Sequence, residues 1–285
     1  MHHFFKFSYK ILFPCILSFA ILSGCSTNKN VQASANLEVE NDRAATKALP
    51  YTPIDISKSL KAPRFEDAKP HEWGRLTPWH YPIQGVDVSK YQGSIDWGAV
   101  RDSGISFAFI KATEGGDRVD DNFKQNWIGT SQIGLPRGAY HFYYWCRSGA
   151  EQARWFIRNV PKDRNALPPV LDLEWNDKSP TCRIRPPKEE VQKQVRSFLK
   201  IIKAHYGKTP IIYTTIDFFD NTELHNVKGY TFWFRSVAGH PEEKYGPHPW
   251  TFWQYTGTGR VPGINGNADI NAFYGNPTEW QNYSR

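Results

Sequence analysis

From Ile83 to Thr214 short apolar runs alternate with longer amphipathic ones, and that rhythm limits the fold of this 285-residue chain more than anything else in it. Strands read at Gln84–Ser89, Ser106–Ala112, Gly138–Tyr143 and Pro210–Thr214, with a fourth run, Pro169–Trp175, before the last of these. Helices read between them, at Asp96–Asp102, Asn122–Gln132, Ala150–Asn159 and Glu189–His205. In the last of these Val191, Val195, Phe198, Leu199, Ile201 and Ile202 form one apolar stripe. Beyond Thr214 the helices thin out, and strands at 231–234, 251–255 and 268–271 follow one another through loops or short turns. Repeated strand–helix units predict a parallel sheet. Eight strands in about 200 residues are fewer residues than a full eightfold barrel takes. The expected fold is therefore an incomplete α/β barrel of the TIM type, with eight strands and helices missing in its last third.

The fourth run, Pro169-Val170-Leu171-Asp172-Leu173-Glu174-Trp175, carries two acids among apolar residues. Side chains alternate faces along a strand, so Asp172 and Glu174 project together, with Val170 on their side and Leu171 and Leu173 opposed. Two carboxyls on one side of an apolar strand repel each other and lose solvation, which raises at least one pKa and suits it to give up a proton near neutrality. A lone Asp-x-Glu is more often a polar strand end paired with Lys or Arg. The rest of the chain overturns that prior.

Residues 1–25 stand apart from the fold. Lys6 and Lys10 precede an apolar run from Ile11 to Leu22, the order of an export signal. The run is too short for a membrane span. Leu22-Ser23-Gly24-Cys25 resembles a bacterial lipoprotein box, which implies that Cys25 carries a lipid and becomes the mature N-terminus. Ser26 beside it fits an outer-membrane destination in a Gram-negative cell. Residues 26–80 lack periodicity: a polar, small-residue tether, then from Pro50 to Pro82 a proline-marked extended stretch with Phe65, Trp73 and Trp79, expected to lie along the domain of residues 81–285. The net charge of +7 loses two lysines with the signal and stays modestly positive. This suits an anionic polymer, while the absence of basic runs or nucleic-acid motifs argues against nucleic acid. Fifteen per cent aromatic residues exceed the needs of a core and suit a carbohydrate groove. Past the signal two cysteines remain, Cys146 and Cys182, which in an exported chain favour a disulfide. Neither they nor the nine histidines have metal-site spacing, and no cofactor motif appears.

Barrel enzymes act at the C-terminal ends of their strands. Asp87, Glu114, Asp172 and Glu174 fall at or near such positions, and Asp269 lies in the last strand. Five like charges at one mouth serve stability poorly and serve a pocket for a polyhydroxylated substrate well. Here the residues carry a resemblance. Gly85-Val86-Asp87-Val88-Ser89-Lys90-Tyr91-Gln92-Gly93, Phe109 to Gly115, Gly138-Ala139-Tyr140-His141-Phe142, Leu171 to Glu174, Trp253-Gln254-Tyr255, Val261 to Ile264 and Asp269-Ile270-Asn271 resemble, in order and spacing, glycoside hydrolase family 25, the Chalaropsis-type lysozymes. The likeness runs from about residue 83 to 275.

The resemblance implies a peptidoglycan hydrolase that cuts between N-acetylmuramic acid and N-acetylglucosamine. Glu174 would be the general acid, Asp172 its neighbour that raises its pKa and orients the substrate's N-acetyl group, and Asp87 and Asp269 acids around the reacting sugar. The reaction either inverts through a water or retains through substrate assistance by that N-acetyl group, according to the spatial separation of the carboxyls, and substrate assistance is the expected course. Glu114 is assigned to the groove, and Tyr140, Tyr213, Trp253 and Tyr255 to sugar platforms, with core packing the equal alternative for any one of the four. His141 is out of phase with Tyr140 and reads as a structural hydrogen-bonder. Cys146 and Cys182 fall after neighbouring strands on one barrel face, so they are expected to pair and clamp the loop beside Glu174. Arg235 stands where the family often has a small residue and is placed to meet a muropeptide carboxylate. The expected partners are peptidoglycan strands and, through the lipid, a membrane of the cell envelope; the enzyme is expected to be a monomer. The competing reading is a non-catalytic peptidoglycan-binding lipoprotein on the same barrel.

Overall fold

A computed structural model describes Trp73 and residues 76–285 of the chain; the export signal, Cys25 and the tether ahead of Trp73 lie outside the described residues. The elements in order are β1 (Gln84–Val88), α1 (Trp97–Asp102), β2 (Ile105–Glu114), β3 (Arg118–Val119), α2 (Phe123–Gln132), β4 (Arg137–Phe142), α3 (Gly149–Asn159) and β5 (Val170–Leu173). Then come α4 (Lys188–Tyr206), β6 (Ile211–Thr214), α5 (Ile216–Thr222), β7 (Thr231–Arg235), α6 (Pro241–Tyr245), β8 (Trp250–Gly259), β9 (Ala268–Phe273) and α7 (Pro277–Tyr283). Round the ring the order is β1, β2, β4, β5, β6, β7, β8, β9 and back to β1, with β3 a short hairpin arm on β2.

Seven of the eight barrel strands run parallel, but β9 is antiparallel to both of its neighbours, β8 and β1. The all-parallel expectation fails there for a reason of length. Residues 260–267 are too few for a crossover of about a dozen or more residues, and only an antiparallel return fits. The helices thin out as expected: α5 and α6 are short, and β8 passes to β9 with no helix between.

Strand parity sorts the aromatic surplus into layers. Phe107 and Phe109 on β2, Val170, Ile211, Trp233, Phe252 and Phe273 point into the barrel and form one buried cluster. Phe109 stacks at 4.7 Å on Trp233, and Phe107 lies 5.1 Å from Phe252. These rings need room on the facing strands. A Cβ on Gly85 would lie 2.2 Å from the Phe107 ring, and one on Gly138 would lie 2.6 Å from Phe109. The alternate residues, Leu171, Leu173, Ile212 and Phe234 among them, face the helices in a second cluster with Val195, Phe198 and Ile202 of α4. His141 belongs to that layer, fully buried between Thr113 Oγ1 at 2.7 Å and Gln152 Oε1 at 3.1 Å. Its role is structural, as its parity predicts.

Where helices are missing, other aromatics cover the outer face of β8. Trp73 is buried, with its ring 6.1 Å from Trp253 and 6.0 Å from Tyr255, and Trp79 packs on Tyr255. The packing therefore begins ahead of the boundary drawn at residue 81. At the other end of the chain, α7 plugs the barrel floor. Asn276 caps it by accepting from the backbone N–H groups of Thr278 and Glu279, and the fully buried Trp280 lies 5.0 Å from Phe273 and 5.1 Å from Phe107. Trp280→Ala is expected to destabilise the fold by about 3–5 kcal/mol, a lost aromatic plus its cavity. Urea unfolding followed by tryptophan fluorescence measures this, and a loss below about 1 kcal/mol would show that the plug is not needed.

Candidate active site

Above the aromatic layers the inward positions turn polar. They line a cleft of about 270 Å³ at the C-terminal mouth of the parallel strands. Of the residues singled out from sequence, Asp87, Asp172, Glu174, Asp269, Tyr140 and Tyr213 line it together. Asp87 and Asp269 are direct cross-strand partners of β1 and β9. Asp172 and Glu174 share a face as their spacing requires, with Asp172 inside β5 and Glu174 at its open end.

Three predicted site residues are elsewhere. Trp253 and Tyr255 are fully buried outside the barrel, beneath Trp73 and Trp79, so they are core and not sugar platforms. The physical cause is parity: on β8 the inward residues are Phe252 and Gln254, and the odd neighbours must face out. Glu114 does not line the cleft either. A register irregularity between Lys111 and Thr113 turns Thr113 toward His141 in the outer layer and keeps Glu114 on the side of Lys111, which lines the cleft while Glu114 pairs with its ammonium at 2.6 Å. Burial alone would raise the Glu114 carboxyl, but the hydrogen bond and charge of Lys111, with help from Arg118 and Tyr144, hold it below the usual range.

The floor of the cleft is a hydrogen-bond chain that sequence reasoning did not assign. Trp233 Nε1 donates to Asn271 Oδ1 at 2.8 Å, and Asn271 Nδ2 donates to Asp87 Oδ2 at 2.8 Å. From the other side Tyr213 Oη donates to Gln254 Oε1 at 2.9 Å, and Gln254 Nε2 donates to the same Asp87 oxygen at 2.9 Å. Because an indole N–H can only donate, Trp233 fixes which end of Asn271 faces Asp87. Both amides were within motifs read from the sequence. Asn271 follows Asp269 by two and Gln254 follows Phe252 by two, so same-face spacing was the signal available for them.

Burial dominates the electrostatics. Desolvation pushes the Asp87 carboxyl up to about 6, although the donors Asn271 and Gln254 and the Arg235 charge favour its ionised form. Asp172 is raised well above the carboxylate range, by burial first and then by the Glu174 charge and a hydrogen bond with Glu174. Glu174 is raised by burial, with Asp217 and Asp87 adding to it and Arg235 opposing. The deeper acid is thus the more strongly raised, whereas the sequence pointed to Glu174. The reason is position: Glu174 stands at the open end of the strand within the field of Arg235, and Asp172 has Glu174 itself as its strongest charged neighbour. The two carboxyls form one proton-holding unit. Asp172 Oδ1 is buried without a hydrogen-bond partner in the protein.

The loop beside this pair is anchored. Cys146 and Cys182 form the expected disulfide, with Cα atoms 5.7 Å apart. The adjacent Trp145 donates from Nε1 to the Glu174 carbonyl at 2.9 Å, and Asn176 Nδ2 donates to the Tyr143 carbonyl at 2.9 Å. Among the described residues no group of three or more His, Cys, Asp or Glu is arranged to hold a metal ion.

Glycosyl hydrolases family 25 matches residues 86–264, well over half of the chain. The chain belongs to that family. Lysozyme M1 of Streptomyces globisporus is 38% identical over 202 residues, 68% of this chain and 68% of its own. A family 25 glycosyl hydrolase from Bacillus anthracis superposes with a TM-score of 0.68 at 38% identity, over 76% of this chain and all of that one. A bacterial lysozyme from Streptomyces coelicolor does so with a TM-score of 0.64 at 34% identity, over 71% and 96%. The cleft is accordingly that of a lysozyme-type glycoside hydrolase.

Keeping an acid such as Asp87 in this cleft costs stability. Its folded carboxyl titrates near 6 against 3.8 in an ordinary setting, so between those values the folded form binds the proton more tightly. The associated stability is complete below about pH 4 and lost as pH rises through 6, a cost of about 3 kcal/mol by neutrality. Asp87→Asn cannot ionise and still offers an oxygen to both amides. It is expected to be more stable than the wild type by about 1–3 kcal/mol at pH 7.5, with the gain vanishing near pH 4. Urea unfolding at the two pH values checks this, and a gain independent of pH would refute the burial account.

Proposed function

We propose that this family 25 protein is a muramidase that hydrolyses the β-1,4 bond between N-acetylmuramic acid and N-acetylglucosamine in peptidoglycan, with Glu174 as the proton donor. One observation carries the residue assignment: the Asp172–Glu174 pair, the first buried and the second half-buried, both carboxyls raised, at the open end of an inward-facing strand. Such a pair holds a proton near neutrality and presents it to the cleft from its outer member. Substrate settles which member keeps it. An acetamido N–H offered to the unpartnered Asp172 Oδ1 favours the ionised form of Asp172 and leaves the proton on Glu174. The same contact aligns the acetamido oxygen for attack on the anomeric carbon, the course of substrate assistance. Tyr140 sits among Asp87, Asp172 and Asp269, whose charges with burial hold its phenol protonated, so it serves as a hydrogen-bond donor to sugar or carboxyl oxygens.

The wider setting follows from the chain outside the barrel. Residues 1–25 act as an export signal, Cys25 carries the lipid, and the polar stretch after it lets a monomeric barrel reach the wall from a membrane surface. The Cys146–Cys182 disulfide is in keeping with an oxidising compartment outside the cytoplasm.

Glu174→Gln keeps the shape of the cleft and removes the proton. It is expected to lower release of new reducing ends from purified peptidoglycan by about 10²–10⁴-fold while retaining binding to the sacculus. Mass spectrometry of borohydride-reduced fragments reads the cut, with reduced N-acetylmuramic acid as the new terminus. Wild-type protein that sediments with peptidoglycan yet releases no more ends than Glu174→Gln would establish the binding-module reading instead.

A further inference from the structure

With two rings buried under Trp73 and Trp79, the aromatics that line the cleft are Tyr140 and Phe142, both half-buried, the buried Tyr213 and Trp233, and one largely exposed residue not assigned from sequence. Tyr91 lines the cleft and is 81% exposed. No other exposed large apolar side chain among the described residues lines it. Isolated exposed apolar residues are common on protein surfaces and mean little by themselves. Tyr91 differs in being held out rigidly.

It sits at the centre of a one-turn 3-10 helix, Lys90–Gln92, directly after β1. Both ends of that turn are fastened. Ser89 Oγ accepts from the Tyr91 backbone N–H, and Gln92 Oε1 accepts from the Ser89 N–H at 2.9 Å. The Lys90 N–H donates to Asp120 Oδ2 at 3.0 Å, and its ammonium pairs with Asp121 at 3.0 Å. Gln92 Nε2 donates to the Asn267 carbonyl, and Asn122 Nδ2 donates to the Gly93 carbonyl. The turn is thus tied to the β2–α2 connection on one side and to the approach of β9 on the other. A side chain with only two rotatable bonds on a backbone so pinned gives up little entropy when a ligand stacks on it.

Its place in the ring defines what it can touch. The turn follows β1, and Glu174 follows β5, three strands away one way round the barrel and five the other. Tyr91 therefore stands across the mouth from the acid, where a glycan strand must pass once its scissile bond lies over Glu174. We propose that the Tyr91 ring is a stacking platform for a sugar of that strand, at a subsite on the far wall from the proton donor. This rests on the muramidase reading above and extends it. Flat rings pack on the apolar C–H face of a pyranose, and such anchors at a cleft rim govern how strongly a long polymer is held more than how fast its bond breaks.

The test compares Tyr91→Ala and Tyr91→Phe, in wild type and in the Glu174→Gln background. Removal of so exposed a side chain leaves the fold intact, which the thermal midpoint verifies. On solubilised uncrosslinked glycan strands Tyr91→Ala is expected to raise KM about tenfold with kcat within about twofold, while Tyr91→Phe stays near the wild type. An unchanged KM for Tyr91→Ala, or an equal rise for Tyr91→Phe, would overturn the proposal. In the Glu174→Gln background, co-sedimentation with peptidoglycan reads binding without cleavage, and the same tenfold weakening is expected for Tyr91→Ala. Equal sedimentation overturns the platform. A wild type that binds peptidoglycan and does not cut it overturns the muramidase reading and leaves this comparison standing.

Discussion

The structure depends on one unfavourable act that the rest makes tolerable: several carboxyls are taken out of water at the top of a barrel otherwise filled with aromatic rings. Phe107, Phe109, Phe252, Phe273 and Trp280 occupy the lower layers so completely that polar groups have room only at the mouth. Those rings keep water from below and set the low polarity that raises Asp87, Asp172 and Glu174 together. A barrel with aliphatic layers and trapped water would hold the same acids at ordinary values, and the proton would leave before a substrate arrived.

Three devices offset the cost, and they fall unevenly on the acids. Asp87 receives two N–H donors; the Trp233 indole fixes the orientation of Asn271 from behind, and Tyr213 Oη bonds the oxygen end of Gln254. Glu174 lies in the field of Arg235, which holds it closer to ionisation than its deeper neighbour. Asp172 is raised first by burial and then by the Glu174 charge; the Lys111 charge opposes this, and a hydrogen bond with Glu174 ties the two carboxyls together. The outcome is a gradient across the cleft: an acid steered toward the anion on β1, and a pair on β5 that keeps a proton. That separation of roles is what acid chemistry on a glycosidic bond needs, and it arises from neighbours, since the side chains are the same carboxyls.

Much of this was legible in the chain. Period-two alternation placed Asp172 and Glu174 on one face and His141 on the other, and the amphipathic stripe of α4 was read with all but Ile201 fully buried. Cys146 and Cys182 met because they follow adjacent parallel strands. The misses share a cause, which is information that no local window contains. Trp253 and Tyr255 sit in a family block, yet block membership says nothing about facing, and the parity set by Phe252 turns them outward. Glu114 is taken up by Lys111 in an ion pair just past a register irregularity near Ala112, which no local pattern announces. The reversal of β9 was implied by loop length but overridden by the expectation of one repeating unit.

The helix-poor third explains why aromatics are so numerous here. The outer faces of β8 and β9 lack the amphipathic helix that shields β2, β4 and β5, so something flat and apolar must cover them. Trp73, Trp79 and Tyr81 from ahead of the barrel, Trp250 from the start of β8 and His240 from the cap of α6 meet edge-to-face over Trp253 and Tyr255. Large rigid rings bury more surface per residue than a helix can offer, which lets a short chain close a full ring. The aromatic excess that suggested a sugar groove is therefore spent mostly on walls. What reaches the cleft is a handful of rings, and of these Tyr91 is the one left largely open to water, because the turn that carries it is held by polar groups and needs no packing from the ring itself.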